Sequence, residues 1–574
     1  MHLPFGSLRI SPALTETPID AAIQPFMPMF RLVGWQGAAL LLLMVFFILG
    51  ERQKKGLLAS GRRVGNAEIS KATKIAWQQI KSRSRNKVTL YIGRPAIGRR
   101  TIWVPNAQEG IGVCGAPGKG KTFSVIDPLI RSALDQSFPT IIYDFKGEQL
   151  RRHAAYAASL GYEVYVFAPG FAYTGTINIL DFLKDAGDAL NAKQLAIVIN
   201  RNSKTGDKNK QSDYFAEAAD LLVQALLMLA KGSCYPDLLM AFAILKQPDV
   251  ARRMLQAQQE GWMDIWAEVS ATSLTSVAHA EETSSGIVSS TINTFAPMIN
   301  REFIASICGK TTIPWEMKGK KLLFFQMDKS TRDVVAPLLA SVLHLVVMKN
   351  LAQRRSEPLV LAMDEFPTLY LPDITKWISE ERENGLVPIV GYQFSPQMEN
   401  KYGKDLTRII LGDCASKFVF NPQEGATAEE YSKYFDEEEI VIHTRSRTSG
   451  KQSSISRAEQ YHKRRLFSAG DILRLPKGKC IFVNPTYEGR DEAALPWCFR
   501  VKVPRSDLKA EKQSEKLWTM KVEPRLIQRA TRLQLSLDDA QLRGEFYDRS
   551  DLADSLFPPI SEAILLGEGG KGNG

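Results

Sequence analysis

The sequence predicts an α/β protein built on a parallel sheet, interrupted by an all-α domain and preceded by an N-terminal transmembrane helix. Three observations lead there. Short apolar runs recur near 111–114, 139–143, 162–167, 322–326, 359–363, 387–392 and 416–420, with helical runs between them. One such run, 148–160, is stopped by Gly161. That alternation belongs to strands joined by crossover helices. It stops over 182–310, where helical patterns follow one another and no convincing strand appears before Leu322. Finally, residues 32–50 (LVGWQGAALLLLMVFFILG) run for 19 positions without a charge.

The apolar run comes first in the chain. At 1.5 Å per residue it spans ~28 Å, close to the hydrocarbon thickness of a bilayer. Trp35 suits an interface. Arg52, Lys54, Lys55, Arg62 and Arg63 follow the run, whereas Arg9 is the only basic residue before Arg31. The positive-inside bias therefore places the chain from residue 51 in the cytoplasm and the tail, 1–31, outside. A cleaved signal peptide needs a shorter core and small residues after it, and Glu51-Arg52-Gln53-Lys54-Lys55 is a poor cleavage site. A buried core helix is the other alternative, disfavoured by the basic flank and the absence of a polar face.

Composition narrows the class. The chain has 574 residues, 44% hydrophobic and 24% charged, which excludes global disorder and fibrous repeats and allows three or four domains. Net charge is +11, but residues 51–100 alone carry +12, so the basic character is one local block. Such a block beside a membrane helix holds anionic head groups or nucleic acid. Six scattered cysteines, none in a CxxC pair, offer neither a zinc site nor a disulfide framework.

A nucleotide site follows the basic block. Gly110-Ile111-Gly112-Val113-Cys114 reads as a buried strand and leads into Gly115-Ala116-Pro117-Gly118-Lys119-Gly120-Lys121-Thr122, a GxxxxGK[ST] phosphate loop with a helix after it. Glycines let backbone N–H groups turn inward around phosphate oxygens, and the helix N-terminus adds its partial positive charge. Lys121 reaches the β and γ phosphates of ATP, and Thr122 ligates Mg²⁺. The partner is a strand ending in acid: Leu359-Val360-Leu361-Ala362-Met363 ends in Asp364-Glu365. Asp364 would hold Mg²⁺ and Glu365 would polarise the attacking water.

Nearby candidates are weaker. Thr140-Ile141-Ile142-Tyr143 ends in Asp144 within Asp144-Phe145-Lys146-Gly147-Glu148, a rival strand-end acid or a simple strand-to-helix turn. Gln393 ends the strand 387–392 and would sense the γ-phosphate or orient water; a loop glutamine reads equally well. Arg382 suits an arginine finger reaching a neighbouring subunit, or a solvated position among Glu380, Glu381 and Glu383. The stretch 444–465 reads as a basic Ser/Arg loop, either solvated or tracking a phosphate backbone. Residues 533–574 carry net −5 and read as a disordered acidic tail.

Together these residues resemble the coupling proteins of type IV secretion and conjugation, over roughly 111–483. The phosphate loop followed by Val125-Ile126-Asp127-Pro128-Leu129 is similar to the family pattern. Asp144-Phe145-Lys146-Gly147-Glu148 resembles its aspartate-proline-lysine-glycine-glutamate box, with Phe145 where proline is usual. Thr176-Ile177-Asn178-Ile179-Leu180-Asp181 resembles its asparagine-proline-leucine box, again without the proline. Asp364-Glu365, Arg382 and Gln393 fall where the family has its second acidic motif, finger and sensor. Arg464-Arg465-Leu466 through Leu475-Pro476 resembles its closing motif. One membrane helix is read here where the family usually has two.

The resemblance implies a P-loop NTPase with a RecA-like sheet, a homo-hexameric ring in the bacterial inner membrane, and an all-α cap. It also implies single-stranded DNA with its relaxase as cargo, and other type IV secretion inner-membrane components as partners. The expected division is 1–31 tail, 32–50 membrane helix, 51–100 basic juxtamembrane segment, 101–181 and 311–504 nucleotide-binding parts, 182–310 all-α insertion, and 505–574 C-terminal helix with acidic tail. The function expected is an ATP-driven DNA motor. The alternatives are a docking receptor that binds nucleotide without pumping, and a related ring ATPase for chromosome segregation or channel assembly.

Overall fold

A computed structural model describes residues 61–95, 101–203, 211–448, 454–490, 492–533 and 539–560. The expected membrane helix at 32–50 and the external tail lie outside these. The chain divides into two compact units, Glu438–Arg464 in one and Gly61–Glu437 with Arg465–Gly574 in the other.

The larger unit opens with helix α1 (Asn66–Ser82) and a two-stranded antiparallel sheet, β1 (Leu90–Ile92) with β2 (Ile102–Val104). Glu68 fixes the start of α1 by accepting from Gly65 N at 2.8 Å and pairing with Arg62 at 2.8 Å. Trp77 and Tyr91 close on the buried Trp103 ring at 5.5 and 5.8 Å. Much of the basic stretch 51–100 is thus folded onto the protein body.

Next come β3 (Ile111–Cys114), α2 (Asp127–Asp135), β4 (Thr140–Asp144), α3 (Glu148–Ser159) and β5 (Glu163–Phe167). Among the described residues seven helices follow without a strand: α4 (Ala189–Ser203), α5 (Gln211–Gly232), α6 (Leu238–Leu245), α7 (Val250–Gln259), α8 (Ile265–Thr275), α9 (Glu281–Phe295) and α10 (Arg301–Ile307). Asp237, Asp264 and Asn300 cap three of them by accepting backbone N–H bonds.

The sheet resumes with β6 (Lys321–Gln326), then α11 (Arg332–Leu351), β7 (Leu359–Met363), α12 (Ile374–Ser379) and β8 (Leu386–Tyr392). After α13 (Ser395–Tyr402) and α14 (Lys404–Asp413) come β9 (Ser416–Val419) and α15 (Gly425–Tyr434). Helix α11 is long and apolar enough to cross a membrane, yet 83% of its apolar window is buried inside the protein. It packs against α4 and joins the helical region to the sheet.

The sheet has nine strands in the order β13-β12-β9-β3-β8-β7-β4-β6-β5, where β12 is Lys479–Val483 and β13 is Trp497–Arg500. From β9 to β5 every pairing is parallel. Strands β12 and β13 run antiparallel at one edge, so the sheet is mixed where a parallel one is expected. Alternate residues enter opposite cores: Leu359, Leu361 and Met363 of β7 face one, Val360 and Ala362 the other. A sheet covered on both faces needs such unbroken apolar runs.

The smaller unit is a hairpin of β10 (Glu437–Thr448) and β11 (Ser454–Arg465), joined near its base by Arg464 Nε donating to Glu438 at 3.1 Å. This corrects the expected loop at 444–465. Runs of Arg, Ser and Thr offer no apolar face, so their pairing leaves no hydrophobic alternation to read.

The last helices are α16 (Ala469–Leu473), α17 (Arg505–Leu517), α18 (Glu523–Leu533) and α19 (Asp539–Leu556). Within the tail expected to be disordered, 533–574, helix α19 corrects that expectation over Asp539–Leu556; residues 534–538 and 561–574 lie outside the described ones. It docks on the helical region, where Arg549 donates to buried Asp237 at 3.1 Å and Arg253 donates to Asp554 at 2.6 Å. Earlier in the same segment, Ser514 on α17 donates to Arg151 O at 3.1 Å, and Arg529 on α18 donates to Val164 O at 2.9 Å.

Glu511 on α17 faces Arg131 at 3.7 Å in a buried setting. Burial pushes its carboxyl up to about 7, with Asp127 adding and the Arg131 and Arg152 charges drawing it back. A raised carboxyl favours the folded state while protonated. That contribution is full below its unfolded value near 4.5 and is lost as pH rises through about 7. Glu511→Gln is therefore expected to match the wild type at pH 4 and to exceed it at pH 8 by up to about 3 kcal/mol, each unit being worth about 1.4 kcal/mol. Denaturant midpoints at the two pH values check this, and a gain equal at both would contradict it.

Candidate active site

Four neighbouring parallel strands, β3, β8, β7 and β4, deliver their C-terminal ends to one edge of the sheet. Ligands in such sheets bind beyond that edge. The chain leaves β3 at Cys114, and its exit is fixed by Gly115 N donating to Tyr392 O at 3.1 Å and Ala116 N to Asn421 O at 3.0 Å. Gly118 and Gly120 take φ of +74° and +107°, left-handed values that favour glycine and turn successive N–H groups inward. Gly478 N, just after Leu475-Pro476, donates to Lys119 O at 2.9 Å, so the closing segment supports the loop from behind.

The loop runs directly into a helix whose first turn, Thr122–Ile126, is wound as π before α2 begins. Pro128 has no N–H for the carbonyl four residues back, and a local change of winding accommodates that. Lys121 is buried at 5% exposure and points at the acid pair.

Asp364 and Glu365 follow β7 and are nearly fully buried. Thr122 Oγ1 donates to Asp364 Oδ2 at 2.6 Å. Lys121 Nζ lies 3.2 Å from Glu365 Oε1 and 3.8 Å from Asp364 Oδ1. Gln393 Nε2, from the end of β8, donates to Glu365 Oε2 at 3.1 Å. Gly391 permits this closeness, because a Cβ there would sit 2.3 Å from Asp364 O. Burial holds the Asp364 carboxyl above its usual range, Lys121 and Thr122 pull it down, and the Glu365 charge raises it again.

These residues fit a magnesium ion. Asp364 Oδ1 is buried and accepts no hydrogen bond, an orphaned acceptor beside the Thr122 hydroxyl. Hard oxygen donors from a hydroxyl and a carboxylate, completed by substrate phosphates, are what Mg²⁺ takes.

Asp144, the rival acid, stands at the end of β4 beside β7. Its oxygens are taken by its own loop, accepting from Lys146 N at 3.2 Å and Leu150 N at 2.8 Å. Burial pushes it up to about 6, opposed by those N–H bonds. It shapes the strand-to-helix turn. The residue that the turn brings to the site is Lys146, whose Nζ lies 3.7 Å from Glu365 Oε1. Sequence reasoning names Lys146 within the box without giving it a role; the available signal was a lysine two positions beyond a strand-end acid.

Arg382 is not brought to this chain's own acid pair. It is exposed in the turn before β8, at the opposite end of the strand from Gln393. Burial holds the Glu109 and Asp413 carboxyls, both just before strands, above their usual range, and the Arg382 charge only partly opposes this, together with Lys417 at Asp413.

Comparison with known proteins agrees with this architecture. Residues 96–488 match the family of the type IV secretion-system coupling protein DNA-binding domain. The bacterial conjugative coupling protein TrwB, in an unbound monoclinic form, is similar with a TM-score of 0.55 at 15% identity, covering 79% of this chain and 96% of that one. TrwB in complex with ADP and Mg²⁺ gives 0.53 at 16% identity, with the same coverage. TrwB with the non-hydrolysable ATP analogue ADPNP gives 0.52 at 15%, covering 79% and 95%. At such identity the likeness establishes the fold. No curated protein matches the sequence. With the family match spanning more than half of the chain, over the strands that carry the phosphate loop and the acid pair, the chain belongs to the type IV secretion-system coupling protein family.

Proposed function

We propose that the chain is a membrane-anchored ATPase that works as a homo-hexameric ring and delivers relaxase-bound single-stranded DNA to a secretion channel in the bacterial inner membrane. The observation that carries the ATPase reading is the buried constellation in which Lys121 and Gln393 hold Glu365 while Thr122 holds Asp364. The loop from Gly115 through Ala116, Pro117, Gly118, Lys119 and Gly120 cradles phosphates with its N–H groups, and Lys121 takes their negative charge. Thr122 and Asp364 would hold Mg²⁺, which screens the phosphate oxygens when bound. Glu365 takes the proton of the attacking water, and Gln393 keeps its carboxylate in place. Arg382, at the far end of β8, would serve a neighbouring subunit's site as the finger that stabilises developing charge.

In this reading 32–50 spans the membrane, 51 onward is cytoplasmic, and 182–310 is the cap between nucleotide-binding parts 101–181 and 311–504. The TrwB complexes with ADP and Mg²⁺ and with ADPNP support the choice of nucleotide and metal. The family description supports DNA as cargo. The test is ATP turnover by the full chain in detergent, with and without single-stranded DNA. Turnover is expected to rise with DNA and with protein concentration as rings assemble. Turnover indifferent to both would reject the motor and leave the docking receptor.

A further inference from the structure

The Asp144-Phe145-Lys146-Gly147-Glu148 box has so far no part in hydrolysis. Its backbone is fixed from three sides. Asp144 accepts from Lys146 N and Leu150 N at 3.2 and 2.8 Å. Gly147 takes φ +71° against Gln326, whose Nε2 would lie 2.8 Å from any Cβ there. The Arg332 guanidinium lies over the Phe145 ring at 5.6 Å. Gln326 is itself held by the Tyr173 hydroxyl at 2.9 Å. A loop so restrained presents one group to the site, the Lys146 ammonium.

That ammonium shares its target with Lys121. Both face Glu365 Oε1, at 3.7 and 3.2 Å. The two lysines differ in setting: Lys121 is buried in the phosphate loop, while the Lys146 side chain is 37% exposed on a different loop. Incoming phosphates recruit Lys121, since the loop exists to bring it to them. Glu365 would then lose one counter-charge while 4% exposed, and a buried carboxylate without a counter-charge is strongly disfavoured. Lys146 is the cation left beside it, on a side chain long enough to follow.

We propose that Lys146 is a positioning residue that holds Glu365 toward the attacking water once Lys121 has moved to the phosphates. The box then earns its place in the reaction by presenting this lysine. The proposal rests on Glu365 as the base.

The test uses the full chain, with steady-state ATP turnover and binding of a non-hydrolysable ATP analogue. Lys146→Met and Lys146→Gln are each expected to lower kcat by about 10–100-fold, a part of the roughly 10²–10⁴ that general-base assistance supplies. KM and analogue affinity should stay within about threefold of wild type, because Lys146 acts on the carboxylate and not on bound phosphate. Lys146→Arg should restore most of kcat. In a Glu365→Gln background, Lys146→Met should cost nothing further. Analogue affinity falling in step with kcat would overturn the proposal and make Lys146 a phosphate ligand. Unchanged kcat in both neutral variants, or a full additional loss in the Glu365→Gln background, would overturn it as well. Wild-type turnover in Glu365→Gln alone would remove the base reading and this proposal with it. Activity lost in Glu365→Gln but kept in Lys146→Met would remove only the proposal.

Discussion

Lys121→Ala is expected to abolish measurable ATP turnover, a fall of about 10³-fold or more, and to weaken nucleotide binding. The size follows from what the ammonium touches. In a water-poor site a single charge-stabilising donor is worth about 10²–10³ in rate. Lys121 also compensates two buried carboxylates, at 3.2 and 3.8 Å. Removing it leaves Asp364 and Glu365 facing the incoming phosphates with, among the described residues, Lys146 as the cation beside Glu365, so affinity falls as well. Breaking a buried ion pair by deleting one partner also costs about 3–5 kcal/mol, so the nucleotide-free variant should unfold earlier. Turnover and analogue binding on the same preparation separate these effects. Wild-type turnover in Lys121→Ala would refute the site.

Glu365→Gln should behave differently. The amide keeps the shape; its oxygen can still accept from Lys121 and its NH₂ can donate to Gln393 once that amide turns over, but it cannot take a proton. General-base assistance is worth about 10²–10⁴, so kcat should fall by that factor while nucleotide stays bound. Affinity should rise slightly, because one negative charge beside the phosphates is gone. A single-turnover experiment with pre-bound ATP checks this: the expected result is a stable, unhydrolysed complex. Loss of binding equal to that in Lys121→Ala would show that Glu365 serves structure and not proton transfer.

The phosphate loop and the acid pair were legible because each is a local signature, an apolar strand followed at once by its functional group. All seven parallel strands were legible for the same reason: burial on both faces demands short unbroken apolar runs. The order of those strands was not. Nothing in the local pattern says that β4 lies beside β7, and that adjacency is what puts Lys146 next to Glu365. The antiparallel pair Lys479–Val483 and Trp497–Arg500 lies outside the crossover pattern that the other strands obey. Helix Asp539–Leu556 read as disordered because its own composition is acidic. Its anchor, Asp237, lies 312 residues away.

The distance along the chain between the two halves of the site also sets a timetable. Lys121 precedes Glu365 by 244 positions. At roughly 5–20 residues per second of synthesis, the cradle waits about 12–50 s for its carboxylates to leave the ribosome. Through that interval the nascent lysine has no acid to cover it, and the helical region must be translated first. The complete site therefore cannot guide the early stages of maturation, and the arrangement that holds Glu365 for hydrolysis can form only after Gln393 has emerged.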